Sequence, residues 1–268
     1  MRCTQGNRLI REFGTFENFE NFRRVFNAIE LEDIDRMIVV FNDAYQNSLN
    51  PIMQGRYATL RRDLVTGNLP AQGSQSFRER LEVLEEVRNI RTGLRDEVGE
   101  VPLNPIDGLN LGQRNIAYGT FEITLPGGTE ISEEFISIAG SRTARTLRDN
   151  FNLDSFEGRA IMPEPQGGAR RRFPPLPDLP QNTNDSERKL FEEVIRQMER
   201  ARNQETRGAF GRFVPSERNR YQGQGYSGSI NLYSEMSPCR SCRMIVNQFR
   251  DMFGGDIDVN VRYGVEYE

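Results

Sequence analysis

A chain of 268 residues with 36% hydrophobic and 28% charged residues and a formal charge of −4 has apolar material for one large or two modest domains, and its balance does not announce a nucleic-acid binder. Three cysteines and no histidine exclude a disulfide framework and any intrachain zinc site made of four cysteines or of cysteine with histidine. No run approaches eighteen apolar residues and the start has no apolar h-region, so a soluble chain without membrane span or signal peptide is expected, cytoplasmic or delivered into a target cell by a dedicated export route.

Residues 1–100 read as a helical region and 101–268 as a second domain. Helices are expected over 13–29, 30–47, 53–64 and 74–95, the last with Leu81, Leu84, Val87 and Ile90 at helical spacing. Phe16, Phe19 and Phe22 share one helix face, a stripe that suits a core or a partner surface. Residues 101–112 hold two prolines and the turn pair Asp107-Gly108, and mark the boundary. Strand character follows at once. Segments 116–125 and 129–139, around the turn Pro126-Gly127-Gly128, predict a β-hairpin with Ile136 and Ile138 among its apolar positions. A short helix is expected over 143–151, and the proline-rich stretch 162–181, with Arg170, Arg171 and Arg172, has the composition of a linker.

A helix over 188–200 opens on Asp185-Ser186-Glu187. The glycine-rich segment 203–226 then interleaves Arg207, Arg212, Arg218 and Arg220 with Phe210, Phe213 and Tyr221. Lys189 is the single lysine of the chain, so positive charge rests on arginine, which contacts phosphate bidentately and stacks on bases. Such interleaving suits a track for a single-stranded backbone, and equally an ordinary loop. Strand 230–234, helix 240–253 and strand 257–262 predict a right-handed parallel crossover. Both motif helices then begin at one edge of the sheet.

Pro238-Cys239-Arg240-Ser241-Cys242 places two thiolates one turn apart at a helix start. Without histidine, a two-thiolate site must recruit a carboxylate or leave positions open, and Asp185 can offer an oxygen at about 2.0–2.2 Å from zinc. Zinc lowers the pKa of water from about 15.7 towards 7, which gives Glu187 a task as acid and base. Plainer readings stand beside this one: a redox C-x-x-C pair, Asp185 as a helix N-cap, and Glu187 favoured by the helix dipole alone.

The paired motifs resemble the signature of zinc-dependent nucleotide and nucleic-acid deaminases, H-x-E followed downstream by P-C-x-x-C, with Asp185 in the histidine position. With Arg188-Lys189-Leu190-Phe191-Glu192-Glu193, Gly228 to Glu235 and Val246-Asn247-Gln248-Phe249, the match over residues 109–267 most resembles the bacterial toxin-type branch. The resemblance implies an α/β fold, a cytidine-deaminase-like mixed β-sheet with helices on both faces after the helical N-terminal region, in which 162–181 is an extended surface loop. It implies Asp185, Cys239 and Cys242 as ligands of Zn2+, Glu187 as proton shuttle and Asn115 as a substrate contact, although Asn115 also reads as a turn or strand-edge amide. The implied reaction is hydrolytic deamination of a nucleobase, cytosine to uracil in DNA or RNA foremost. The expected partner is single-stranded nucleic acid, held through Arg207, Arg212, Phe213, Arg218, Arg220 and Tyr221, and a toxin implies a neutralising immunity protein. A deaminase of free nucleosides or nucleotides and an inactive binding protein of the same fold are the alternatives.

Overall fold

The computed structural model of the chain describes residues 55, 58, 73–99, 111, 114–165, 173, 185–207, 212–213 and 218–265. The helices expected over 13–29 and 30–47, the Phe16, Phe19 and Phe22 stripe, Arg170 to Arg172 and Phe210 lie outside the described residues, as does all of 53–64 except the helical residues 55 and 58.

Among the described residues the elements run in the order α1 (Gly73–Val98), β1 (Ile116–Thr124), β2 (Glu130–Ile138), α2 (Thr143–Phe151), β3 (Ser155–Phe156), β4 (Arg159–Ile161), α3 (Ser186–Glu205), β5 (Ser227–Met236), α4 (Arg240–Phe253) and β6 (Ile257–Val265). The strands form one mixed sheet in the order β3-β4-β2-β1-β5-β6. β1 pairs antiparallel with β2 and β5, whereas β5–β6 and β2–β4 are parallel. The expected hairpin is in place, with Ile116 opposite Ile138 and Thr124 opposite Glu130, and its turn is closed by the Gly128 N–H donating to the Leu125 carbonyl.

Side chains alternate across a strand, and here the alternation sorts them between two cores. Ala117, Phe121 and Ile123 of β1, Phe135 of β2, and Ile230 and Leu232 of β5 pack beneath α3 and α4 with Leu190, Phe191, Val194, Ile245 and Phe249. Ile116, Ile136 and Ile138 face the other way, against Val83, Val87, Ile90 and Leu94 of α1 and Leu147 of α2. Helices therefore cover both faces of the sheet. The α1 stripe read from Leu81, Leu84, Val87 and Ile90 is buried throughout, which places α1 in the same core as the strands.

A polar contact fixes α1 more closely. Arg91 donates to Glu235 at 2.6 Å and to the carbonyls of Leu111 and Arg114 at 3.0 and 3.2 Å. The carboxylate of Glu235 is buried, and a buried charge left without its partner is strongly destabilising. One arginine of α1 thus staples the segment that leads into β1 to the end of β5.

The short hairpin β3–β4 had no expected counterpart. Glu157 and Gly158 both take positive φ, 50° and 79°, the requirement of the two-residue turn that matches strand twist. Among the described residues, no helix is long and apolar enough to cross a membrane.

Candidate active site

α3 and α4 start side by side at one end of the sheet, packed through Phe191 and Phe249 at 5.2 Å between ring centroids. α3 begins two residues earlier than its apolar pattern predicts, which puts Asp185 at the N-cap position and Glu187 in the first turn. The Asp185 side chain makes no capping hydrogen bond. Its Oδ2 lies instead 3.5 Å from Cys239 Sγ and 3.3 Å from Cys242 Sγ. One donor atom from each of the three residues falls within 4.8 Å of the others. A tetrahedral site with bonds of about 2.3 Å to sulfur and about 2.1 Å to oxygen sets such O···S separations at about 3.6 Å, so the three side chains fit one ion.

Their protonation supports the same reading. Burial, and next the Cys239 charge, push the Asp185 carboxyl up to about 7. A hydrogen bond from Cys242 brings Cys239 down to about 5, while Cys242 retains its proton well above the ordinary thiol range because it donates to Cys239 and is buried. Three acidic groups this close cannot all ionise unless a cation compensates them.

Glu187 is 3% exposed, and burial raises its pKa. Each of its oxygens accepts from a serine: Oε1 from Ser234 at 3.0 Å and Oε2 from Ser186 at 3.1 Å. Both serines in turn accept from the Asn115 amide, at 3.1 and 2.8 Å. The Asn115 Oδ1 accepts from the Met236 N–H at 3.1 Å, which fixes the amide orientation. Ser137 donates to the Ser186 carbonyl at 2.6 Å and ties the start of α3 to β2. Asn115 thus lines the pocket together with Asp185, Glu187, Met236, Cys239 and Cys242, and both of its N–H groups are spent on orienting Glu187 through two hydroxyls.

Residues 219–264 match the model of a toxin-deaminase family, described as the BURPS668_1122 family of deaminases. The match supports a toxin-type deaminase assignment for that segment. The matched segment holds the cysteine motif but not Asp185 and Glu187; it is the tertiary structure that brings the start of α3 onto these cysteines. No curated protein and no solved structure matches the chain.

The basic and aromatic segment lies at the other end of the helices. The Asn219 and Tyr221 N–H groups donate to the carbonyls of Asp251 and Met252 in the last turn of α4, and the Phe213 N–H donates to Glu199 near the end of α3. At about 1.5 Å per residue, α4 carries that loop about 15–20 Å away from the cysteines. Phe213 and Tyr221 are buried, 4.8 Å apart, and both pack on Phe253. Their ring faces serve the core rather than a stacked base, which corrects the base-stacking role read from their spacing. Arg207, Arg212, Arg218 and Arg220 are exposed, with Arg218 paired to Asp251 at 3.4 Å and Arg220 set over the Tyr221 ring.

The sequence reading missed the serines that hold Glu187 and the Arg91–Glu235 pair. A period-two count along β5 could have found Ser234, a small polar residue on the face that otherwise carries Ile230 and Leu232.

Proposed function

We propose that this deaminase is a zinc-dependent enzyme that converts cytosine to uracil in single-stranded nucleic acid and is deployed as a toxin. The observation that carries the reading is the convergence of Asp185, Cys239 and Cys242 beside a buried, doubly held carboxylate. Two thiolates and one carboxylate suit zinc better than magnesium or calcium, and three protein ligands leave a position open. A zinc ion there supplies the Lewis acidity that makes water nucleophilic at neutral pH.

The remaining chemistry belongs to the chain. Attack on C4 forms a C–O bond and releases a proton, which Glu187 takes up and hands to ring nitrogen N3. The second proton of the water then passes through the same carboxyl to the exocyclic amine, the C–N bond breaks, and ammonia leaves. Burial suits Glu187 to this exchange, since a raised pKa makes the carboxyl a better acceptor and holder of the transferred proton. The Ser186 and Ser234 hydroxyls keep both of its oxygens at fixed positions throughout.

A toxin of this kind requires a neutralising immunity protein in the producing cell and a dedicated export route. The test is to incubate the zinc-loaded full chain with cytidine, cytidine monophosphate and single-stranded DNA and RNA, reading uracil and ammonia, alongside deep sequencing of nucleic acid from cells that express it. Cytosine-to-uracil conversion in oligonucleotides is expected. Zinc-loaded protein that alters no base in any substrate overturns the proposal, and conversion of cytidine alone redirects it to free nucleosides.

A further inference from the structure

Resting on the nucleic-acid reading above, the structure assigns to Arg114 the recognition of a phosphate group next to the reacting base. Arg114 immediately precedes Asn115 and lies close to Gly140, which follows the pocket residue Ala139. A Cβ on Gly140 would come within 2.8–2.9 Å of the Arg114 guanidinium, and Gly140 sits at φ 113°. The guanidinium therefore lies against the Gly140 backbone, whose φ favours glycine.

Arg114 has no side-chain hydrogen bond or ion pair among the described residues, and its Nε is buried with no acceptor. A buried donor without an acceptor is costly, and guanidinium is the group whose planar fork matches phosphate. No carboxylate among the described residues pairs with it. Glu164 is already committed to Lys189 at 3.6 Å and to the Ala144 N–H at the start of α2 at 2.8 Å, while Lys189 donates to the carbonyls of Ile138 and Gly140 on either side of Ala139. Lys189 and Arg114 thus lie near each other beside the segment that carries the pocket residue Ala139. Arg142 and Arg145, both exposed and with no side-chain partner among the described residues, extend the cationic rim along the start of α2. The loop that carries Arg218 and Arg220 meets the far end of α4, so the phosphate nearest the base falls to this rim.

The test uses the zinc-loaded full chain in a Glu187→Gln background, which blocks turnover without touching a ligand of the metal. Binding of cytidine, cytidine monophosphate and a short single-stranded oligonucleotide with one central cytosine is measured with Arg114 intact, as Arg114→Gln and as Arg114→Lys, with the thermal transition of each variant as the folding control. Arg114→Gln is expected to weaken phosphate-bearing ligands about 10–100-fold relative to cytidine and to lower the salt slope of oligonucleotide binding by about 1, with Arg114→Lys intermediate. Weakening of both the monophosphate and the oligonucleotide places the contact on the phosphate of the target nucleotide, and weakening of the oligonucleotide alone places it on a neighbouring phosphodiester. Equal weakening of cytidine, or unaltered binding of both phosphate-bearing ligands, overturns the assignment. Failure of the deaminase reading appears separately, as absent base conversion by the Glu187 protein, whatever Arg114 does in these titrations.

Discussion

Lowering the pH from 8 to 6 is expected to weaken zinc binding by about a thousandfold, because the ligands must shed protons that this fold makes them keep. Cys242 holds its proton well above the ordinary thiol range, so it exchanges one full proton for the metal across the interval and contributes about a hundredfold. Asp185, pushed up to about 7, passes from mostly ionised to mostly protonated and adds about tenfold. Cys239, brought down to about 5, is a thiolate throughout and adds almost nothing. The sign follows from ligation itself: metal requires the deprotonated forms, so affinity rises with pH, about two protons per ion below 7 and about one above it. Competition against a chromophoric chelator, corrected for the chelator's own protonation, measures the slope, and calorimetry in buffers of different ionisation enthalpy counts the protons released. Asp185→Asn removes the carboxylate share and leaves a slope near one proton throughout, at lower affinity. A fall of less than about tenfold between pH 8 and 6 contradicts the assignment of these three side chains as the ligands.

Glu187→Ala is expected to retain stoichiometric zinc and lose about 10²–10⁴-fold in turnover, whereas Asp185→Ala loses zinc and Asp185→His regains it; metal analysis and ammonia release on all three variants separate the two roles, and parental turnover in Glu187→Ala refutes the shuttle. Ser234→Ala removes one donor to the Glu187 carboxylate and should lower kcat about 10–100-fold with zinc content and KM little altered, and Ser234→Thr should restore it; an unchanged kcat means that the hydroxyl does not position the carboxylate. Phe213→Ala should cost about 3–5 kcal/mol in chemical denaturation because its ring is buried, and a variant of parental stability with weakened oligonucleotide binding would return Phe213 to the surface.

Where apolar spacing repeats, the sequence forecast the fold closely. The stripe of α1, the hairpin 116–139 and the strand-helix-strand ending at β6 all stand where their periodicity places them, because burying one face of each element depends on local order alone. The two-residue strand β3 and the three-residue strand β4 were illegible by comparison: two or three residues cannot display a period, and only the turn pair Glu157-Gly158 marks them.

The candidate site divides in the same manner. Residue types and spacing brought Asp185, Cys239 and Cys242 forward as candidates, since a chain without histidine has few ways to complete a two-thiolate site, and the resemblance to deaminases gave them and Glu187 their roles. Whether Asp185 caps its helix or faces the thiols could not be read from order along the chain, because both roles suit an aspartate at a helix start; the packing of α3 against α4 settles it by setting its carboxylate beside sulfur. Tertiary structure alone also decided that Asn115 serves two serines on other elements, that Arg91 reaches Glu235 across 144 positions, and that Phe213 and Tyr221 are core while Arg218 and Arg220 beside them are surface. A loop has no period to sort its apolar residues inward from outward, so their burial depends on what the rest of the fold places against them.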